Sequence, residues 1–266
     1  MRGGLIVPLV TPVDASGQVC GADVAAMVAA LAPYADGVVP ALSTGEGWAL
    51  DDRQWSDMVA HTARHAGGLP VLAGVLRPTT TEVVARARRA AELGARAVVA
   101  STPFGADMDQ EAMVAHYATL AGSGALPVVA YHESAVSRNA MTPETLRRVC
   151  ELPGVIAVKD SSGDPGCAGQ LRAAGSPVPV WQGREEVIGG CGAVDGYVLA
   201  LANVAPELCA RLRREGPTAP SWAGLVDEVA AACAEHGVLG EDWYVRIKTT
   251  LCQRGIIADP RPISGG

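Results

Sequence analysis

The chain has 266 residues, 49% hydrophobic, 4% aromatic and 18% charged, and its formal net charge is −7. An acidic chain without a basic run or an arginine-rich arm does not fit a protein whose main partner is nucleic acid or an anionic membrane. Pro, Gly or a charged residue interrupts every apolar run before the roughly 18 residues that a membrane span needs. We therefore expect small solutes to be the partners.

Short apolar runs alternate with amphipathic stretches along the whole chain. The runs are nearly continuous in Val, Ile, Leu and Ala, as in parallel strands that are covered on both faces. The predicted strands lie at residues 4–13, 37–43, 69–75, 97–103, 126–132, 155–162, 178–183 and 196–202. Helical patterns occupy residues 51–67, 79–94, 110–124 and 142–152, between these strands.

Eight strand-helix units predict the α/β class and, within it, a (β/α)8 TIM barrel with additional C-terminal helices. An open doubly wound sheet is the alternative, but no GxGxxG or GxxxxGK[ST] phosphate loop follows any strand. The predicted domains are a barrel at residues 1–205 and a helical appendage at 206–266, packed on the barrel. The helices of that appendage are expected at residues 207–214, 222–236 and 243–254.

The chain has seven cysteines and no CxxC pair. An odd number of scattered cysteines is typical of reduced, cytoplasmic proteins, in which each thiol serves as a small buried hydrophobe. Residues 1–8 carry one arginine and too short an apolar stretch for a secretory signal, so we expect them to form the first strand. The sequence thus predicts a cytoplasmic protein.

Lysine is rare in this chain: Lys159 and Lys248 stand against nineteen arginines. Lys159 ends the sixth predicted strand, directly after an apolar run. A primary amine can form a Schiff base with a carbonyl group, which a guanidinium cannot, and desolvation among apolar side chains favours the neutral, reactive amine. The alternative is a lysine that extends from the strand end to solvent, or one that pairs with Asp160. For Lys248, on an amphipathic helical segment, we expect a structural role.

Other polar residues also end predicted strands. Ser43 and Thr44 follow the second strand and Tyr131 ends the fifth. Catalytic groups of barrels lie at the carboxyl ends of the strands, so we expect these side chains and Lys159 to face one cavity. Two other interpretations stay open: Ser43 and Thr44 could cap a helix with Glu46, and Tyr131 could be a buried tyrosine bonded to backbone.

At these positions the chain resembles a known family. The segments that match are Val7-Pro8-Leu9-Val10-Thr11-Pro12, Asp36-Gly37 followed by Ser43-Thr44-Gly45-Glu46, Thr102-Pro103, Tyr131, Val158-Lys159-Asp160 with Ser162-Gly163-Asp164, and Ala202-Asn203. Together, in this order, they resemble the dihydrodipicolinate synthase and N-acetylneuraminate lyase family of pyruvate-dependent class I aldolases. The resemblance covers nearly the whole chain and implies a barrel with extra carboxy-terminal helices.

The resemblance also implies roles for particular residues. Lys159 corresponds to the Schiff-base lysine and Tyr131 to the proton-shuttling tyrosine. Ser43 and Thr44 correspond to the pair that holds the keto-acid carboxylate and links to the tyrosine hydroxyl, which makes Thr44 a further catalytic candidate. The candidate substrate-binding residues are Ser43, Thr44, Gly45, Trp48, Arg184 and Val198.

Two positions depart from the family pattern. Synthases of the family carry Tyr-Tyr after the Thr-Pro of the fourth strand, where this chain has Phe104-Gly105, and the second tyrosine completes a hydroxyl relay across a subunit interface. The synthases also carry an arginine five residues after the tyrosine of the fifth strand, where this chain has Val136; Arg138 lies two residues further on. Dihydrodipicolinate synthesis itself is therefore disfavoured.

Several side chains near the predicted cavity could bind the second substrate instead. Arg184 could pair with a carboxylate, and Trp48 could stack on an aromatic or sugar-like face. Each of them could equally be a solvated loop residue. The other candidates of this kind are His132, Glu133, Ser134 and Gln182.

The sequence predicts a lyase that acts on pyruvate or a related 2-oxo acid through a Lys159 imine, by reversible aldol cleavage or condensation. The partners are a 2-oxo acid and an aldehyde, the state is a homodimer or homotetramer, and no cofactor or metal is expected. His61 and His65 have metal-compatible spacing but no third ligand, which disfavours a zinc-dependent aldolase. Two alternatives remain: a 2-oxo-3-deoxy sugar acid dehydratase that uses the same imine, and a non-catalytic keto-acid-binding paralogue.

Overall fold

The computed structural model describes residues 3–263. Residues 1–2, which were expected in the first strand and the first domain, lie outside this range, and so do residues 264–266 of the second predicted domain. In the described part, strands and helices alternate in chain order. The strands are β1 Ile6–Pro8, β2 Gly37–Val39, β3 Leu72–Val75, β4 Ala97–Ala100, β5 Val128–His132, β6 Val155–Asp160, β7 Val180–Gln182 and β8 Gly196–Tyr197. The helices are α1 Gly21–Leu31, α2 Asp52–His65, α3 Thr80–Glu92, α4 Gln110–Gly122, α5 Pro143–Cys150, α6 Cys167–Ala173, α7 Pro206–Glu215, α8 Trp222–His236 and α9 Trp243–Gln253.

All the strand pairs are parallel. β1 pairs with β2, and β3 to β8 form one six-stranded ladder in sequence order. Single bridges join Val38 to Val71 and Leu5 to Tyr197, at the two edges where these ladders meet. The architecture is thus an α/β fold with a curled parallel sheet surrounded by helices, followed by the expected C-terminal helices α7 to α9.

The predicted strand boundaries were too wide. The first predicted strand covers residues 4–13, but β1 has 3 residues, because Pro8 and Pro12 have no backbone N–H for a ladder. The predicted eighth strand ends in a 3-10 turn at Ala200–Asn203. The excess apolar residues belong to buried loops at the strand ends. The predicted helices are confirmed, each with slightly shifted ends, and α1 and α6 lie where the strand–helix units require a helix, although no bounds were predicted for them.

In most strands, alternate residues enter two different apolar clusters. In β4, Val98 and Ala100 pack towards the helices, whereas Ala97 and Val99 belong to a cluster in the interior of the sheet. Tyr131 of β5 is a member of the same interior cluster. Lys159 of β6 is the ladder partner of Tyr131, so the two strands bring these side chains together.

The helix that follows the turn after β2 is α2, and its amino terminus is well capped. The Asp51 side chain accepts from the Gln54 backbone N–H, and the Gln54 side chain accepts from the Asp51 N–H, which forms a capping box at the start of α2. The alternative in which Ser43 and Thr44 cap a helix with Glu46 is therefore wrong, since residues 40–49 form turns and no helix.

The C-terminal helices pack on the rest of the fold, and Leu251 and Ile247 of α9 are part of the main core. The division into domains at residue 205 stays a prediction. Between residues 3 and 263, none of the helices combines the length and the apolar character needed to cross a bilayer.

Candidate active site

Lys159 lies at the end of β6 and is buried, with 3% of its surface exposed. Its Nζ lies 4.0 Å from the centroid of the Tyr131 ring. No carboxylate oxygen of residues 3–263 lies within 4.0 Å of this amine. The amine thus contacts the face of an aromatic ring and lacks a close counterion.

Asp160 faces the other side of the sheet. Its Oδ1 lies 3.2 Å from His132 Nδ1 and accepts from the Ser162 N–H, so the interpretation in which Lys159 pairs with Asp160 is wrong. Burial raises the pKa of this carboxyl group, but the bonds from His132 and Ser162 outweigh burial and hold the pKa below its usual value. Strand alternation therefore separates the aspartate from the amine beside it in sequence.

Tyr131 connects the lysine to the turn after β2. Its hydroxyl lies 3.2 Å from Ser43 Oγ, so the interpretation of Tyr131 as a tyrosine bonded to backbone is wrong. Thr44 is buried next to Ser43. Among the described residues, no hydrogen bond uses the backbone N–H of Ser43, Thr44 or Gly45. Two hydroxyl groups and three unpaired N–H donors therefore lie in one short turn.

This turn has a tightly constrained backbone. A Cβ on Gly47 would lie 2.1 Å from the Ala41 carbonyl oxygen, and one on Gly45 would lie 2.7 Å from that of Leu9. Ala41 and Glu46 have positive φ angles of 57° and 55°, in the left-handed region that side chains other than glycine rarely adopt. Gly45 is thus required by close packing of the turn against the segment after β1, and Gly47 by close packing within the turn itself.

These groups line one cavity of about 230 Å³. The predicted site residues that line it are Ser43, Thr44, Tyr131, Lys159, Arg184 and Val198. Gly45 and Trp48 do not line the cavity; Trp48 instead packs against Trp243 and Tyr244, with ring centroids 6.2 Å and 5.9 Å away. Three larger clefts, of about 470, 540 and 290 Å³, have no lysine, cysteine, histidine or tyrosine among their described lining residues.

Part of the cavity wall was not predicted. Residues 238–240 and Trp243, from the C-terminal helical region, form one side of it, and Ser161 and Glu185 contribute polar groups. Glu185 Oε1 accepts from the Leu201 N–H, and burial raises the pKa of this carboxyl group. The position of Glu185 just after a predicted strand was the available sequence signal. The helical residues had no such signal, because they come from a distant part of the chain.

The candidates for the second substrate separate into two groups. Arg184 and Glu133 line the cavity, although Arg184 is already paired with Glu186 and Glu133 accepts from the backbone N–H groups of Val136 and Ser137. The other candidates, including Arg138, do not line the cavity. They are His132, Ser134, Gln182 and Arg138.

The position of the missing relay tyrosine is closed by backbone. The Gly105 N–H donates to the Pro78 carbonyl oxygen at 3.2 Å, and a Cβ on Gly105 would lie 2.6 Å from that same oxygen. A larger side chain at residue 105 would need a different path for this loop.

Metal-binding side chains also come together near the site. His132, Asp160 and Cys167 place one ligand atom each within 4.8 Å of one another, on the helix side of β5 and β6. His61 and His65 belong to no such three-residue group among residues 3–263. A cation could thus be held behind the sheet and not in the cavity with Lys159.

The cavity thus brings a buried amine, a tyrosine and a set of hydroxyl and N–H donors together at the strand ends of a curled parallel sheet. The sequence model of the Dihydrodipicolinate synthetase family matches residues 1–263. The chain therefore belongs to the dihydrodipicolinate synthetase family.

Individual relatives agree with this assignment. An uncharacterized DapA-like lyase of Halobacterium salinarum is 35% identical, over 97% of this chain and 86% of that protein. The 4-hydroxy-tetrahydrodipicolinate synthase of Thermomicrobium roseum is 33% identical, over 79% of this chain and 68% of its own. The fold superposes on dihydrodipicolinate synthase from Bacteroides thetaiotaomicron with a TM-score of 0.88 at 26% identity, covering 96% of this chain and 90% of that one. For the enzyme from Acinetobacter baumannii complexed with pyruvate, the TM-score is 0.90 at 23% identity, with 98% and 91% covered.

Proposed function

We propose that the protein is a Schiff-base-forming lyase that acts on pyruvate or a related 2-oxo acid by reversible aldol cleavage or condensation. The contact of Lys159 Nζ with Tyr131, which is linked in turn to Ser43, carries this proposal. The three residues form a continuous path from an amine to a proton-transfer group and then to a carboxylate-binding turn.

The chemistry follows from this path. The neutral Lys159 amine attacks the 2-oxo carbon, and the resulting carbinolamine loses water after Tyr131 donates a proton to the leaving hydroxyl. The iminium that forms accepts the electron pair of the breaking carbon–carbon bond while the Tyr131 oxygen, which has given up its proton, takes the proton of the substrate's 4-hydroxyl group, so that an enamine and an aldehyde result. Protonation and hydrolysis of the enamine then release the 2-oxo acid and the free Lys159 amine. Ser43 and Thr44, with the N–H of Gly45 beside them, bind the carboxylate through hydroxyl and backbone donors, without a buried cation. No electrons leave the system, so the step needs no redox partner.

The second substrate differs from that of the synthases named above. Residue 105 has no hydroxyl group, residue 136 is a valine, and Arg138 is absent from the cavity wall. Of the charged candidates for the aldehyde end, Arg184 and Glu133 line the cavity. Trp48 and Gly45 act indirectly, by packing behind the wall and by shaping the turn.

A dehydratase acting on a 2-oxo-3-deoxy sugar acid is a second candidate, and Glu185 favours it. A carboxyl group whose pKa is raised by burial stays protonated to higher pH and can donate a proton to a leaving hydroxyl group. Both candidates share the imine. Product analysis with an isotopically labelled 2-oxo-3-deoxy acid separates them, because the aldolase releases pyruvate and the dehydratase retains the whole carbon chain.

The remaining architectural and cellular features are part of the same proposal. The bridges from Val38 to Val71 and from Leu5 to Tyr197 support a closed (β/α)8 barrel. Seven free thiols suit a reducing, cytoplasmic compartment. We propose a homodimer or homotetramer, which sedimentation can test.

Borohydride reduction in the presence of pyruvate tests the imine directly. We expect a reduced pyruvyl group on the peptide that contains Lys159, since only Lys248 and the amino terminus compete as primary amines. The matched control is Lys159→Arg, which keeps the charge and cannot form the imine. An unmodified Lys159 in wild-type protein that demonstrably binds pyruvate contradicts the proposal.

A further inference from the structure

The turn that holds Ser43 and Thr44 also contains a buried ion pair. Glu46 is 2% exposed and Lys248 is fully buried, and the Lys248 ammonium donates to Glu46 Oε1. The other Glu46 oxygen, Oε2, accepts from the Ile263 N–H at 2.7 Å, and Lys248 also donates to the Arg261 carbonyl oxygen at 2.9 Å. One glutamate thus connects the turn to α9 and to the segment at residues 259–263.

A buried ion pair costs more desolvation free energy than an apolar pair of side chains in the same place. Moving two charges out of water costs several kcal/mol per ion, and a well-packed apolar pair of similar size is often at least as stable. Burial lowers the pKa of Lys248, which Glu46 opposes. A buried pair in place of an apolar one therefore points to a requirement for fixed geometry and not only for stability.

The geometry that the pair fixes is that of the donor groups in the turn. The Glu46 N–H donates to the Ser43 carbonyl oxygen at 3.0 Å, and Thr11 Oγ1 donates to the Gly45 carbonyl oxygen at 2.7 Å. Glu46 also adopts a left-handed φ of 55°, an unfavourable backbone conformation that the two contacts of its carboxylate can hold in place. Movement of Glu46 therefore moves the N–H groups of residues 43–45.

We infer that Glu46 and Lys248 are positioning residues for the carboxylate of the 2-oxo acid, and that they make carboxylate binding depend on the segment at residues 259–263. This inference rests on the proposed function, because it takes the turn to be the carboxylate-binding element. The pair does not reach the cavity: neither residue lines it. The pair acts through the backbone of the turn.

The test compares an acid with its ester. In Glu46→Gln, and in the double variant Glu46→Gln/Lys248→Met, we expect the half-saturating concentration of pyruvate for borohydride trapping at Lys159 to rise about 10-fold or more, since small displacements of binding groups have effects of this size. Methyl pyruvate offers the same ketone without a carboxylate, and its half-saturating concentration is expected to change less than about twofold. The double variant removes both charges and keeps the protein testable if the single variant folds poorly.

Arg86→Met is the matched control. Arg86 of α3 is a buried cation that donates to the exposed carboxylate of Asp52 on α2, away from the cavity, so its loss removes a buried charge without touching the turn. We expect both trapping constants to stay unchanged in this variant. Equal weakening of acid and ester, no change for either, or the same acid-specific loss in Arg86→Met would overturn the inference.

Calorimetric titration with pyruvate separates this inference from the proposed function. Binding at the turn does not require the imine, so it can be measured in Lys159→Met and in that variant combined with Glu46→Gln. If wild-type protein binds pyruvate but is not trapped, the proposed imine fails while the loss of affinity on Glu46→Gln still decides the positioning role. If wild-type protein does not bind pyruvate at all, both are overturned.

Discussion

The two lysines of this chain are almost equally buried, but their surroundings differ. Lys159 is 3% exposed and contacts the Tyr131 ring, whereas Lys248 is 0% exposed and donates to the Glu46 carboxylate and to a backbone carbonyl. Within residues 3–263, no acceptor holds the Lys159 ammonium group in place, whereas Lys248 has a counterion. Burial alone therefore does not define the function of a lysine, because the partner groups decide whether the amine is fixed or available.

The difference arises from strand alternation. Asp160 follows Lys159 in sequence but points towards the helix layer, where it meets His132. Consecutive strand residues face opposite sides of a sheet, so the carboxylate closest in sequence is removed from the amine. Lys248 lies on α9, where the turn after β2 brings Glu46 to it from 202 positions away in sequence. Substitutions at the two lysines, and at the residues beside them, test whether the two environments act independently.

The largest effect should come from Lys159→Arg. The guanidinium keeps the positive charge but cannot attack a carbonyl carbon, so we expect kcat/KM to fall by about 10³-fold or more. Steady-state kinetics with the identified substrate measure this loss, and thermal unfolding checks that the fold is retained. Residual turnover within tenfold of wild type would show that the amine is not the nucleophile.

Lys248→Met should mainly cost stability. Removing one partner of a buried pair leaves the Glu46 carboxylate uncompensated, which typically costs about 3–5 kcal/mol. Lys159→Met removes no ion pair and conserves volume, so we expect its cost to stay under about 1.5 kcal/mol. Urea denaturation gives both free energies of unfolding. Equal losses for the two variants would erase the distinction between the lysines.

Tyr131→Phe should separate imine formation from turnover. The variant keeps the ring that contacts Lys159 and loses the hydroxyl that lies next to Ser43 Oγ, so we expect kcat to fall about 10²-fold, as for other general acid-base groups. Borohydride trapping with pyruvate should still label Lys159, although more slowly. Ser43→Ala is the companion variant, with a smaller expected loss; a wild-type kcat in Tyr131→Phe would exclude the hydroxyl as the proton donor.

The strand-end position of Lys159 and the alternation of strands and helices could be predicted from the sequence. The position of Lys159 at a strand end follows from the apolar run before it, and alternating strands and helices follow from periodicity, because both depend on neighbouring residues. The extent of the strands could not be predicted, because residues 40–42, at the start of the turn, are as apolar and buried as the strand that precedes them. Local composition does not distinguish a buried turn from a buried strand.

Contacts between segments that are distant in the chain could not be predicted from the sequence either. The pairing of Glu46 with Lys248 and the contribution of Trp243 to the cavity wall depend on how α9 packs on the sheet. The same holds for Trp48, whose aromatic side chain is covered by Trp243 and Tyr244 and does not reach the cavity. A single sequence gives residue types at these positions but not the direction in which each side chain points.

The smallest effect concerns Glu185, a carboxyl group that lines the cavity of Lys159. Burial raises its pKa above the ordinary 4.5, so the native state holds this proton more tightly than the unfolded chain does. At pH values between the pKa of Glu185 in the unfolded chain and its higher pKa in the native state, the unfolded chain binds fewer protons than the native protein does. The free energy of unfolding therefore falls as pH rises from about 4.5. Glu185→Gln removes this titration, and urea unfolding at several pH values should show wild type losing stability relative to the variant across that window.

Substitution of each lysine in turn tests which of the two affects the pKa of Glu185. The positive charge of Lys159 lowers the pKa of Glu185 and so opposes the effect of burial. In Lys159→Met that opposition is lost, and the fall in stability should extend to higher pH than in wild type. Lys248→Met should leave the window unchanged, since its ammonium is compensated by Glu46. A shift of the window by Lys248→Met as large as that by Lys159→Met would mean that the two lysines share one electrostatic environment.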